Sequence, residues 1–487
     1  MAKTYKILID GKWVKSNSGE TFPSLNPATG QVIGYFQSGN ESDINLAVDA
    51  AERAFEGWSS TPAPKRGEIL LRAASLLRQN KECLAKLVST EMGKVISEAR
   101  GDVQEAIDIT EYMAGEGRRL FGHTTPSELR DKFCMTVRRP IGVCGLITPW
   151  NFPIAIPAWK LMPALICGNT VVFKPASDTP LCAIKLVEIL QKAGIPPGVI
   201  NLVTGSGEHA GLPLVRHNSV RCISFTGSRE TGLQITKEAG IKKVGLELGG
   251  KNGVIVLEDA DLNLAVDGII WGGYGTTGQR CTAASRVIVQ QSIKERLEKA
   301  LLERVSKLRL GSGLDPKTDV GPLINKAAVE KVHKYTEIGL KEGAKLLFGG
   351  SPVKGKGFFY QPTLFTDCTY NMRICQEEIF GPTVCIIPVK DLSEAIEVMN
   401  SVSYGLSSSI YTSSIRSAFK AIEGIEAGIT YVNSSTIGAE VHLPFGGIKQ
   451  TGNCREAGIL GIDEFSEVKT VYFDYSGRLQ KAQIDTE

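Results

Sequence analysis

The 487-residue chain is poor in histidine: there are five, scattered at His123, His209, His217, His333 and His442. Its eleven cysteines run from Cys83 to Cys454 and include no Cys-x-x-Cys pair. Zinc ligands come in short paired spacings, so these absences argue against a metal site, and none is expected. An odd cysteine count with no secretory context argues against a disulfide framework and for free thiols in a reducing compartment. No run of roughly 18 apolar residues occurs, which excludes a membrane-spanning helix. The stretch from Met1 to Trp13 lacks the apolar segment of a secretory signal, so a cytoplasmic protein is expected. An excess of one charge is also missing. Lys and Arg number 55 against 52 Asp and Glu, a net charge of +3. Bulk charge therefore points to neither nucleic acid nor a membrane surface as partner. Low-complexity tracts and short repeats are absent as well.

What is present reads as a soluble α/β chain long enough for two or three domains. Lys6–Ile9, an Asp10-Gly11 turn and Lys12–Val14 form a hairpin pattern. From Ser42 to about Ala114 the apolar spacing is helical. A β-rich stretch follows at Lys132–Arg138. Strands and helices then alternate to about Gly249: strands at 143–148, 170–174, 199–203 and 222–225, helices at 155–165 and 181–193. That rhythm predicts a parallel, doubly wound sheet. A second alternating block spans 252–440, with strands near 253–257, 286–289, 384–388 and 429–433. The two blocks predict two α/β lobes with a cleft between them. The tail at 470–474 alternates like an edge strand.

Two short stretches carry chemistry. Gly278-Gln279-Arg280-Cys281-Thr282-Ala283 sets one cysteine in a small, polar, Gly-flanked turn, where a substrate could reach sulfur. A helix beginning there would lower the thiol pKa. The other ten cysteines read as inert buried residues. Leu246-Glu247-Leu248-Gly249-Gly250-Lys251-Asn252 sets one carboxylate in an apolar segment, where burial would raise its pKa toward that of a general base. A structural glutamate paired with Lys251 is the plainer reading of the same residue. Thiolate and base together are what covalent catalysis at a carbonyl requires. Asn151, at the end of a strand in Pro149–Pro153, could donate to an oxyanion or simply form a turn. Two Gly-rich turns, Gly205–Gly211 and Gly227-Ser228, could cradle phosphate or be ordinary turns.

Together these stretches resemble the aldehyde dehydrogenase superfamily. The Glu247 and Cys281 segments are similar to its two signatures. Its Pro-Trp-Asn-Phe-Pro, Lys-Pro-Ala, Phe-Thr-Gly-Ser, Glu-Glu-Ile-Phe-Gly-Pro and Pro-Phe-Gly-Gly segments match residues 149–153, 174–176, 225–228, 377–382 and 444–447 in order and spacing. The resemblance covers essentially the whole chain. It implies a Rossmann-type cofactor domain at 1–121 and 141–249, an α/β catalytic domain at 250–448, and a small β oligomerisation arm at 122–140 and 465–487. It implies a homodimer or homotetramer joined through edge strands, and an NAD(P)-dependent oxidation of an aldehyde to the acid. Cys281 would form a thiohemiacetal and then a thioester, Asn151 and the Cys281 N–H would hold the oxyanion, and Glu247 would activate water. Lys160 would support the site. Lys174 and Glu378 would meet the cofactor riboses, Gly227 and Ser228 the pyrophosphate, with Trp150 and Phe380 near the nicotinamide. The turn at Gly205–Gly211 is then only a tight turn.

Family members that select NAD often carry glutamate three residues after the ribose lysine. Here that position is Ser177, so NADP is expected to be accepted, alongside NAD. Phe152, Trp159 and Phe445 fall where the family lines its aldehyde tunnel, which implies a partly apolar pocket for a small-molecule aldehyde. Arg280 reads as solvated or salt-bridged rather than as an anion anchor. The segments 437–443 and 452–458 resemble the 2-oxoglutarate semialdehyde branch, although Asn453-Cys454-Arg455 departs from its usual Gly-Asn-Gly-His-Arg-Glu. Two rival readings are a coenzyme A-acylating enzyme and a cofactor-binding protein without activity. The retained Glu247 argues against the first, and intact Cys281, Glu247 and Asn151 against the second.

Overall fold

The computed structural model describes residues 3–484, so the last three residues of the predicted arm lie outside it. Two seven-stranded sheets organise the molecule. The first runs in the order Lys243–Glu247, Val220–Thr226, Val143–Ile147, Thr170–Lys174, Ile200–Leu202, Ile7–Ile9 and Lys12–Val14. Its first five strands are parallel, and the N-terminal hairpin continues it antiparallel. The central strands are buried on both faces, which is why Val143–Ile147 and Thr170–Lys174 read as continuous apolar runs rather than alternating ones. The predicted helical stretch resolves into four helices, Glu41–Ser60, Ala63–Gln79, Lys81–Glu91 and Ile96–Glu116. The first starts in a reciprocal cap, in which Asn40 and Asp43 each accept the other's backbone N–H.

The second sheet has the order Lys345–Phe348, Thr363–Thr366, Thr383–Val389, Ala284–Gln290, Asn252–Val256, Ser407–Tyr411 and Ile429–Val432. All its pairings are parallel except that of the edge strand Lys345–Phe348. Ser407–Tyr411 gives no apolar pattern, yet it is fully buried. Its serines satisfy themselves on backbone carbonyls: Ser407 on Thr436, Ser408 on Ile429 and Ser409 on Ser434. A third sheet joins Thr124–Pro126, Lys132–Pro140 and Ser466–Asp474, all antiparallel, with the last strand at its edge. A small three-stranded sheet near the N-terminus, Thr4–Tyr5, Val32–Gln37 and Thr21–Leu25, escapes the sequence pattern.

Two strand ends set the site. Glu247 closes the strand Lys243–Glu247 of the first sheet, and Asn252 opens Asn252–Val256 of the second. After the second sheet the chain returns to the first: Ala457, Ile462 and Phe465 pack into the core of the N-terminal half. This return carries Cys454 and Glu456 up to Glu247.

Candidate active site

Cys281 does not begin a helix. A short 3-10 turn, Gly275–Gly278, precedes it, and the strand Ala284–Gln290 follows. No helix dipole is therefore available to lower the thiol pKa. Burial pushes the thiol up, and the charges of Glu247, Glu378 and Glu456 push it further. The turn itself is strained. Thr276 and Thr277 both hold positive φ, 49° and 59°, which β-branched residues avoid. Glu98 holds the strain in place: its carboxylate accepts from the Thr276 N–H at 2.9 Å and from the Thr276 hydroxyl at 3.0 Å. Thr277 donates to the Gly321 carbonyl at 3.0 Å. Below the sulfur, the Asn252 amide donates to the Cys281 carbonyl at 2.7 Å. The sulfur thus rises from an over-determined loop.

Glu247 is buried, and burial pushes its carboxyl well above the ordinary range. The charge of Glu456 adds to this, and Lys160 opposes it. It forms no ion pair with Lys251, whose ammonium has no hydrogen-bond partner. The Cys454 thiol donates to Glu247 Oε1 at 3.6 Å. Gly446 is a requirement of this site: its φ is 149°, and a Cβ there would stand 2.5 Å from Glu247 Oε1. Lys160 is fully buried, paired to Glu456, and donates to the Ser224 hydroxyl at 2.8 Å. Glu464 completes the cluster, its carboxyl raised by burial to about 7 with Lys160 opposing. Three carboxyls thus surround one ammonium. Glu456 and Glu464 were not foreseen, because nothing local distinguishes them: Lys160 and Glu456 are 296 residues apart.

Two cavities meet at Cys281. One is lined by Trp150, Asn151, Gly227, Ser228, Glu378 and Phe380. Ser228 caps the helix Arg229–Glu238, accepting from the Thr231 N–H. Helix N-termini of this kind suit phosphate. Glu378 Oε1 accepts the Gly250 N–H at 2.9 Å, which ties its loop to the end of the Glu247 segment. At Gly249 a Cβ would stand 2.4 Å from Glu378 Oε2, so only glycine lets that carboxylate lie so close. Phe380 has a φ of 60°, and its ring meets Trp150 edge-on at 5.5 Å. These residues fit a dinucleotide. Lys174 and Ser177 lie outside this wall. The Lys174 ammonium donates to the Pro175 carbonyl at 2.7 Å, and the Ser177 hydroxyl to the Gly205 carbonyl at 3.0 Å.

The other cavity, of about 150 Å³, is lined by Phe152, Trp159, Glu247, Phe445 and Glu456. Trp159 and Phe445 meet edge-on at 5.0 Å. At its outer side lie Glu98, Asp102, Glu105, Asp108, Glu440 and His442. Arg280 faces both regions, but its guanidinium is committed to Thr276 at 2.8 Å and Glu98 at 3.5 Å, as a salt-bridged arginine. Asn151 faces Cys281 and donates to the Gln279 carbonyl at 3.0 Å, leaving its second amide hydrogen for another acceptor. The cysteines expected to be uniformly buried are not: Cys83 is exposed and Cys454 is half-buried beside the base.

A thiol at the junction of a dinucleotide crevice and an aromatic tunnel, with a buried carboxyl facing it, defines an oxidoreductase that works through covalent catalysis. Residues 13–471 match the aldehyde dehydrogenase family, and the chain belongs to it. It is 42% identical to the alpha-ketoglutaric semialdehyde dehydrogenase of Bacillus subtilis over 477 residues, covering 96% of this chain and 98% of that one. It is also 42% identical to aldehyde dehydrogenase 1A1 of Oryctolagus cuniculus, covering 96% and 95%. The betaine aldehyde dehydrogenase of Staphylococcus aureus in complex with NAD+ superposes with a TM-score of 0.96 at 36% identity, covering 98% and 95%.

Proposed function

We propose that the chain oxidises an aldehyde, bound in the aromatic tunnel, to its carboxylic acid, with NAD+ as hydride acceptor. One observation carries this reading: Cys281 borders both cavities, so a carbonyl carbon on its sulfur faces the dinucleotide crevice. Glu247 is a stronger base than a solvated glutamate, since burial disfavours its charge, and it accepts the thiol proton. The thiolate adds to the aldehyde, and the Asn151 amide and the Cys281 N–H receive the developing oxyanion. When bound, the nicotinamide supplies the hydride acceptor. Glu247 passes the thiol proton on to solvent and then, as a carboxylate again, deprotonates the water that adds to the thioester; the carboxylic acid is released and the Cys281 thiolate leaves, with the Lys160–Glu456 pair beside the base. Ser228 and the helix it caps, with Glu378 and Phe380, hold the dinucleotide.

The absence of a carboxylate at Ser177 supports acceptance of NADP beside NAD. The strand Ser466–Asp474 supports assembly into dimers or tetramers through an edge, because Val468, Tyr472 and Phe473 are exposed along it. The division into cofactor domain, catalytic domain and arm follows the three sheets. A second reading for the substrate is a semialdehyde of 2-oxoglutarate type, favoured by the Bacillus subtilis relative. The rim carries both signs, since Asp102 is paired to the Lys94 ammonium at 3.0 Å and Arg280 lines the same cavity, so it selects neither charged nor uncharged aldehydes. Steady-state kinetics with aliphatic, aromatic and carboxy-aldehydes, with NAD and NADP, and with and without coenzyme A, decides these points. Coenzyme A-dependent acyl-thioester product, or no reduction of either cofactor by any aldehyde, would overturn the reading.

A further inference from the structure

The spacing of Cys368, Cys375 and Cys385 matches no metal-binding pattern, yet the fold gathers their sulfurs within 4.8 Å of one another. Cys368 follows the strand Thr363–Thr366, Cys375 lies on the one-turn helix Arg373–Gln376, and Cys385 lies on the strand Thr383–Val389. All three are buried, at 1%, 0% and 0% exposure. Cys368 and Cys385 direct their thiols to backbone carbonyls, of Thr366 at 3.6 Å and Ile374 at 3.7 Å.

An independent observation concerns charge. The Lys251 ammonium is buried and has no hydrogen-bond partner. Arg286 is equally buried, and donates only to the carbonyls of Lys251, Val398 and Met399 and to the Met399 sulfur. Cys375 and Cys385 act electrostatically on both cations. Glu378 also acts on Lys251, yet neither cation has an ion pair among the described residues, and buried charges need compensation. Three thiolates around one monovalent cation would carry two negative charges, which Lys251 and Arg286 balance.

We infer that Cys368, Cys375 and Cys385 form a binding site for a soft monovalent metal ion, Cu(I), in a three-sulfur shell. Thiolates select soft ions such as Cu(I). Tetrahedral zinc needs a fourth ligand, and no further His, Asp, Glu or Cys joins the group among the described residues. Binding exchanges the thiol protons for the metal and changes no oxidation state. Access requires only that the turn Arg373–Gln376 open, since the Arg373–Glu377 ion pair at 2.7 Å lies on its exposed side. The same turn leads directly to Glu378 and Phe380. A bound ion therefore ties the cofactor loop to the second sheet.

The test uses the full-length reduced chain carrying Cys281→Ala, titrated anaerobically with Cu(I) against a chromophoric bicinchoninate chelator. One equivalent should be retained, and X-ray absorption should give three sulfur neighbours with no lighter ligand. Cys375→Ala should weaken retention by more than the roughly 10–100-fold typical of losing a second-shell group, while Cys83→Ala should leave it unchanged. Cys368→Ala, measured in parallel, gives the same answer should Cys375→Ala not fold. The site is refuted by a failure to retain any equivalent, by undiminished retention in the Cys375→Ala or Cys368→Ala protein, or by a shell containing nitrogen or oxygen.

Discussion

The Cys454 thiol donates to Glu247 Oε1 at 3.6 Å, so the base of the site carries a sulfur donor from a segment that lies beyond both main sheets. This bond favours the charged carboxylate against the burial that disfavours it. Cys454→Ala removes the donor, and the Glu247 pKa rises further. The ascending limb of the kcat–pH profile should move to higher pH, by roughly 0.7 unit for a hydrogen bond of about 1 kcal/mol. A limb that stays put or moves to lower pH would show that the thiol does not tune the base.

Cys281 and Glu247 should fail in different ways. Cys281→Ala should abolish turnover and any burst of reduced cofactor, while NAD affinity measured by fluorescence titration stays within about two-fold, since uniform cofactor binding does not use the sulfur. Glu247→Gln should lower kcat by roughly 10²–10⁴-fold, the usual worth of general-base catalysis. If Glu247 acts mainly on water, a burst of reduced cofactor should survive in that variant. Loss of the burst together with turnover would assign Glu247 chiefly to thiol activation.

Glu464 supplies a pH test of stability. Its carboxyl is raised by burial to about 7, above its unfolded value. A raised group contributes stability that is fully present below the unfolded pKa, near 4.3, and is lost as pH rises through the folded value. Glu464→Gln cannot ionise and escapes this loss. By chemical denaturation the variant should show a shallower decline between pH 5 and pH 8. Its gain over the parent should be of the order of 3 kcal/mol at the upper end. Parallel profiles for the two proteins would mean that Lys160 already neutralises a charged Glu464.

Ser177→Glu should separate the two cofactors. A carboxylate placed there repels a 2′-phosphate and accepts from a 2′-hydroxyl, so kcat/KM for NADP should fall by roughly 10-fold or more while that for NAD holds or rises. Equal changes for both cofactors would remove Ser177 from the selectivity argument.

The parallel strands of the first sheet were legible because they are buried on both faces and their apolar runs are local. The strand Ser407–Tyr411 was not, because its serines are satisfied by carbonyls of Thr436, Ile429 and Ser434, and no local pattern announces those partners. Cys281 and Glu247 stood out through small or glycine-terminated surroundings that local sequence displays, whereas Asn151, between Trp150 and Phe152, read equally as a turn residue until the resemblance was drawn. No helix begins at Cys281. The chain there makes a strained turn held by Glu98, 178 residues away. Lys160 was named from a resemblance alone, and its partner Glu456 came from the returning segment.

Turn chemistry, strand periodicity and the small or apolar settings of Cys281 and Glu247 are properties of neighbouring residues, so the order of amino acids sufficed to define them. Protonation, compensation of charge and shared surroundings depend on segments that meet only after folding. The cluster of carboxyls around Lys160 and the convergence of Cys368, Cys375 and Cys385 belong to that second kind. The reason is that burial and Coulomb energy depend on distance in space, whereas hydrogen-bonded turns and strand periodicity depend on distance along the chain.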